Sequence, residues 1–196
     1  MPAGFHYNLK PEEEKEERYD VETGRKRRGP YKLDTANLPM GEYLPSFTPI
    51  AADLKSKVAK VAIRVVVAEQ YTSGSNTTLK VKKGSLAYVG MHLGNGKNGA
   101  TVNSINKSEA GYDTLTLAAD FGASLKKDTV LFEASGVGGT SPKVVANSAL
   151  YEKKKIEGGI VLVALLMKAF EIEPEKLVHP FCAEDKKNMP LFQFNE

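Results

Sequence analysis

Between residues 77 and 132 the chain states one pattern twice. The first statement runs Thr78-Leu79-Lys80-Val81, a turn at Lys83-Gly84, then Tyr88-Val89-Gly90-Met91-His92-Leu93. The second runs Thr114-Leu115-Thr116-Leu117, a turn at Phe121-Gly122, then Leu125-Lys126-Lys127-Asp128-Thr129-Val130-Leu131-Phe132. Apolar and polar residues that alternate over four positions between turn residues predict a short, half-buried strand. Each copy is therefore strand, glycine turn, and a second strand entered through a Gly or an Asp. Two such units predict a compact β core, and the segment carries no recognisable reactive group.

The bulk numbers agree. A chain of 196 residues with 41% hydrophobic residues can build a core, and the lack of Trp with abundant Gly, Val, Thr and Lys leans towards β structure and tight turns. A formal charge of +3 is too small to argue for nucleic acid. One cysteine, Cys182, excludes an internal disulfide and fits a reducing compartment. The N-terminus lacks a basic stretch followed by an apolar one, and the longest apolar run, residues 160–167, is far short of the roughly 20 a membrane helix needs. The expectation is a soluble protein made in the cytoplasm, with no membrane partner.

Residues 1–36 read as a charged, disordered arm. An acidic block, Glu12-Glu13-Glu14-Lys15-Glu16-Glu17, precedes a basic one, Arg25-Lys26-Arg27-Arg28, and too little apolar surface is available to offset the entropy of ordering. Residues 37–57, rich in proline, read as an extended lead-in. Residues 58–172 read as the β-barrel-like core domain, with strands over 58–67 and 100–105 and a continuous buried strand over 160–170. Residues 173–196 read as an irregular surface tail. The fold class is mainly β: a small barrel-like domain of two similar strand-turn-strand units with an extended N-terminal arm.

Four groups of residues invite chemical readings. Gly94-x-Gly96-x-x-Gly99 matches a dinucleotide fingerprint in letters, but the residues after it alternate as a strand where a helix is required, so it reads as a hairpin loop. His179 and Cys182 lie close in sequence, yet a zinc site needs four ligands and a thiol nucleophile needs an orienting group; both read as incidental tail residues. Arg25 to Arg28 could meet phosphates, but the neighbouring acidic block cancels most of that field. Asp113, Asp120, Asp128 and Glu133 sit at turns or strand ends, where carboxylates accept local backbone hydrogen bonds, and Ser148 lacks a nucleophile elbow. No catalytic, cofactor-binding or metal residue is assigned, no cofactor is expected, and the chain reads as non-enzymatic.

A resemblance adds what chemistry does not. Asn37-Leu38-Pro39-x-Gly41-x-Tyr43-Leu44-Pro45 and Thr48-Pro49-Ile50-Ala51 open it; Leu79-Lys80-Val81-x-Lys83-Gly84, Val89-Gly90, Ile105-Asn106-Lys107-Ser108 and Tyr112-Asp113-Thr114-Leu115-Thr116-Leu117 continue it. Val130-Leu131-Phe132-Glu133-Ala134 and Ala146-Asn147-Ser148-Ala149-Leu150 close it. Over residues 37–165 the chain resembles head fibre and capsid-decoration proteins of tailed bacteriophages, particularly those of phages and prophages of gut Bacteroidetes. The resemblance implies a β-rich structural module on the outer capsid surface of the virion, made in the bacterial host cytoplasm. It also implies a homo-oligomer, with a trimer favoured, whose partner is the major capsid protein. An N-terminal extension that clamps the shell would suit residues 37–51. The competing reading is a carbohydrate- or cell-surface-binding β module, with Tyr71, Tyr88 and Tyr112 as stacking candidates.

Overall fold

The computed structural model of the chain describes residues 18–195, and they form a mainly β protein. The strands, in chain order, are β1 (Asp20–Lys26), β2 (Tyr31–Asp34), β3 (Tyr43–Leu44), β4 (Pro49–Asp53), β5 (Val58–Val61), β6 (Arg64–Val66), β7 (Thr78–Lys82) and β8 (His92–Gly94). They continue with β9 (Gly99–Asn106), β10 (Tyr112–Leu117), β11 (Val130–Glu133), β12 (Ser148–Leu150), β13 (Lys154–Lys155), β14 (Leu162–Val163), β15 (Leu165–Ile172) and β16 (Phe192–Phe194). A short helix, α1 (Ala183–Asn188), precedes β16.

The strands divide into two curled sheets. One runs β1-β15-β12-β4-β5-β2-β14, with β16 added to β15, and the small β3-β13 ladder stands apart. The other runs β6-β11-β8-β9-β10-β7. A bridge between Val67 and Val81, with the Ala68 N–H donating to the Lys80 carbonyl at 2.9 Å, ties β6 back to β7 and curls this sheet on itself. The barrel is an insertion: the chain leaves the first sheet after β5, builds the barrel, and returns at β12. One apolar core, including Leu33, Ile50 and Val61 from the sheet and Leu79, Leu93 and Leu115 from the barrel, joins the two.

The doubled sequence is a doubled structure. The first strands of the two copies, β7 and β10, pair with each other through Leu79↔Leu115, and the second strands, β8 and β11, pair through Glu133↔Leu93. Gly84 and Gly122 turn the chain at φ +78° and +81°. Six residues later, Gly90 and Asp128 again take left-handed backbone, at φ +88° and +65°. Their surroundings match bond for bond. Gly90 N–H donates to the Val102 carbonyl and Val102 N–H to that of Met91, both at 2.8 Å; Asp128 N–H donates to Val67 at 2.9 Å and Val67 N–H to Thr129 at 3.0 Å. Aspartate tolerates this conformation better than most residues because its short side chain offers local hydrogen bonds.

Several sequence expectations need correction. The arm expected over residues 1–36 is strand from Asp20 onward: β1 pairs β15, β2 pairs β5 and β14, and Tyr31 and Leu33 are buried. Residues 1–17 of that arm lie outside the described residues. The lead-in over 37–57 is not a free clamp, because Leu44, Phe47 and Ile50 are buried and β4 lies inside the sheet. Phe47 even holds left-handed backbone at φ +66°, unusual for a bulky residue, against the rings of Tyr19, Phe181 and Phe192. The segment over 58–67 is two strands, since the chain crosses from sheet to barrel at Ala62-Ile63. The run over 160–170 also divides, between β14 and β15. Ile160 and Leu162 face outward while Val161 and Val163 face the core. The tail is ordered: Leu177, Phe181, Met189 and Phe192 complete a second apolar cluster with Phe47 and Leu166.

Candidate functional site

Each residue group singled out by the sequence has a structural task. Gly94 and Gly99 pair across the β8–β9 hairpin, and the loop between them packs against Gly139. A Cβ on Gly94 would meet the Gly139 carbonyl oxygen at 2.5 Å, and one on Gly99 would meet the Gly139 Cα at 2.6 Å. These glycines permit backbone to touch backbone, as the hairpin reading expects.

Cys182 caps α1. Its sulfur accepts from the Asp185 N–H while its own N–H donates to Asp185 Oδ2 at 3.0 Å. Burial pushes its thiol up to about 12, so it stays protonated and weakly nucleophilic. His179 is buried, and desolvation followed by the charge of Arg18 holds its imidazole down at about 4. Among the described residues no group of three or more His, Cys, Asp or Glu is arranged to hold a metal ion.

The carboxylates serve as clips. Asp120 accepts from Ser73 Oγ at 2.5 Å and from Tyr71 Oη at 2.7 Å, which with two backbone N–H groups hold it at about 2. Buried Asp113 has Lys83 Nζ 2.9 Å from Oδ1, and the same ammonium donates to the carbonyls of Lys107 and Glu109. Asp128 pairs with Lys82 at 2.7 Å, and Glu133 accepts from Lys143 at 2.7 Å and from Tyr88 at 2.5 Å. Ser148 accepts from Arg27 Nε and donates to Asn147. Tyr71 is buried, Tyr88 is engaged with Glu133, and Tyr112 lies under Lys80 at 4.6 Å, so the three tyrosines do not form an open stacking platform.

The basic block splits. Arg27 is bound to Asn147 and Ser148, and Lys26 sits 3.7 Å from the Tyr151 ring centroid. Arg25 and Arg28 remain exposed. A surface the sequence did not suggest is the outer face at the β14 end of the first sheet. There Leu162, Lys32, Val58 and Asp53 form one cross-strand row, and Asp34, Lys60 and Ala51 the next. An open depression of about 550 Å³ lies over Ala51, Ser56 and Val58. Asp53 and Lys60 line it as well, and the Lys57 ammonium approaches the Arg28 carbonyl and Tyr31 Oη at 3.3 Å. Beyond this face β14 ends the strand order, and Ile160 beside it is 73% exposed. A sheet face of small residues with one carboxylate, Asp53, and one ammonium, Lys60, at the depression can receive an extended segment. No single residue type marks it; it exists only through cross-strand register.

The family model for the head fiber protein of phages matches residues 3–194. The chain belongs to that phage head fiber family. The match runs through both sheets and the C-terminal segment, and begins inside the acidic arm. No match is found among curated proteins or solved structures. A head fiber protein is a phage structural protein associated with the virion.

Proposed function

We propose that this head fiber protein attaches to the outer surface of the phage capsid and acts there without catalysis. Its partner is the major capsid protein, and it works as a homo-oligomer, with a trimer favoured. The observation that carries the reading is the family match over nearly the whole chain. The burial and pairing of the reactive groups support it: the thiol is protonated, the imidazole is buried, and the acidic residues named above are engaged in clips. Unpaired strand edges would gain from association with other subunits or with the shell.

The test is co-sedimentation of the purified protein with phage heads that lack it. Saturable binding that leaves about one set of copies per capsid site is expected. Heads that pellet without the protein at micromolar concentration would remove the proposal.

A further inference from the structure

The sequence holds two Asn-Gly steps, Asn95-Gly96 and Asn98-Gly99, and both fall in the hairpin loop whose glycines imitate a dinucleotide fingerprint. An asparagine followed by glycine is chemically labile, because a residue without a Cβ leaves its backbone nitrogen free to reach the preceding side chain. That nitrogen attacks the asparagine Cγ. The new N–C bond closes a cyclic imide, the Cγ–Nδ2 bond breaks, and ammonia leaves with the proton of the attacking nitrogen. Water then opens either carbonyl of the ring, giving aspartate or an isoaspartate that carries one extra backbone carbon.

In the fold both steps are held by one residue, Gly139. Its carbonyl accepts from the Gly96 N–H at 2.9 Å, so the nitrogen that would attack Asn95 has its proton engaged. The Asn95 side chain is fixed as well, with Oδ1 accepting from the N–H groups of Lys97 at 3.0 Å and Asn98 at 2.8 Å. At the second step Gly139 acts by contact. A Cβ on Gly99 would meet the Gly139 Cα at 2.6 Å and its nitrogen at 2.9 Å, so Gly139 lies directly against the peptide that an imide would have to reshape. Asn98 Nδ2 meanwhile donates to the Gly122 carbonyl at 3.2 Å, which clips that side chain to the second turn of the repeat.

The guard is weakly anchored. Gly139 ends the segment Gly136-Val137-Gly138-Gly139, whose one side chain, Val137, is 60% exposed. Gly139 itself is buried, at φ +64°, with its N–H donating to the Gly136 carbonyl at 3.2 Å. A segment that buries backbone but no side chain loses little apolar contact on lifting, so it opens locally at lower cost than the whole chain unfolds.

We infer that Asn95 and Asn98 are latent modification sites, silent while Gly139 is seated and converted to aspartyl and isoaspartyl residues when the segment 136–139 lifts. The change runs one way. An extra backbone carbon at position 98 would take the space in which Gly99 now touches Gly139. A carboxylate there would face the Gly122 carbonyl where an N–H donor stood. The converted loop therefore cannot reseat Gly139, and the segment stays raised.

Peptide mapping by mass spectrometry, on the full chain held at pH 8 and sampled over days, tests it. Both sites should convert in urea-unfolded protein and at least a hundredfold more slowly in the folded wild type. Gly139→Ala unseats the guard and should bring both sites to within tenfold of the unfolded rate. Ser141→Gly removes the 3.0 Å hydroxyl contact with Ser135 at the base of the segment. This milder variant should speed both sites at least fivefold, and it covers the case in which Gly139→Ala does not fold. Leu33→Ala opens a cavity in the first sheet, away from the loop, and should leave both rates unchanged. Wild-type rates within tenfold of one another in folded and unfolded protein would overturn the inference. So would rates that Ser141→Gly does not raise, or that Leu33→Ala raises as much, because conversion would then belong to the globally unfolded chain. Hydrogen exchange at the Gly96 amide, slow in the wild type, should become fast in the isoaspartyl protein, and slow exchange in both would remove the one-way step.

Discussion

Arg64 and Asp185 form a two-point ion pair with no exposed side-chain surface. Nε meets Oδ2 at 2.8 Å and Nη2 meets Oδ1 at 2.6 Å. Arg64 opens the barrel and Asp185 lies in α1, so the pair fastens the C-terminal segment to the inserted module. The remaining hydrogen-bonding capacity is used as well: the guanidinium donates to the carbonyls of Ile63 and Val144, and the carboxylate accepts from the N–H groups of Ala146 and Cys182.

Breaking that pair from one side strands a buried charge. Asp185→Ala is expected to cost about 3–5 kcal/mol of stability, read from urea unfolding. Replacing both partners by apolar residues of similar size should recover much of that loss. A single variant within 1 kcal/mol of the wild type would show the pair to be dispensable. Burial by itself would raise the Asp185 pKa, but the Arg64 guanidinium outweighs it and holds the pKa below the ordinary 3.8. The stabilisation is therefore complete above that value and is lost as pH falls through the lower folded-state one.

His179 gives a second acid sensitivity at higher pH. Its folded-state pKa near 4 lies below the ordinary 6.5, so the unfolded chain takes up the proton first. Stability is full above pH 6.5 and declines as pH falls towards 4, by on the order of 3 kcal/mol in total. Urea midpoints measured from pH 7 to pH 4 should fall less steeply in His179→Leu. Identical slopes would refute this assignment.

Backbone contact at Gly139 leaves no room for a side chain. A Cβ there would lie 2.2 Å from the Asn98 carbonyl oxygen, at φ +64°. Gly139→Ala should cost about 3 kcal/mol or more. Gly111→Ala, where nothing lies within 4 Å and φ is ordinary, should stay within about 0.5 kcal/mol. Thermal melts of the two variants compare them directly.

Equivalence of Gly90 and Asp128 predicts an exchange. A Cβ on Gly90 meets nothing within 4 Å, so only the left-handed backbone restricts this position. Gly90→Asp should be tolerated within about 1 kcal/mol, and Gly90→Val should cost about 1–2 kcal/mol more, because a β-branched residue resists that conformation. Equal losses in the two variants would mean that the two halves are not interchangeable at this turn.

The barrel was legible because its information is local. Alternation, turn glycines and their spacing lie within a few residues of one another, and they located β7, β10 and the hairpin around Gly96. The first sheet was not legible, because it is assembled from both ends of the chain. The strand β1 is mostly polar and exposed, and it gains its place by pairing with β15, some 140 residues later in the chain. Composition alone therefore resembled disorder there. The tail misled for a related reason. Leu177, Phe181, Met189 and Phe192 have no regular period, and only the surface they cover makes them a core. The Arg64–Asp185 pair left no local sign either, since the partners are 121 residues apart.

Insertion of the barrel between β5 and β12 has a mechanical consequence. The chain enters at Arg64 and departs after Glu133, and Arg64 is the cross-strand partner of Phe132, so both connections leave from one spot. A tug on the barrel is shared by two adjacent covalent tethers that move together, with the load passed to their outer neighbours through the β11–β8 ladder and the Val67–Val81 bridge. For a protein associated with a virion, two tethers side by side let the barrel give without being torn from the first sheet.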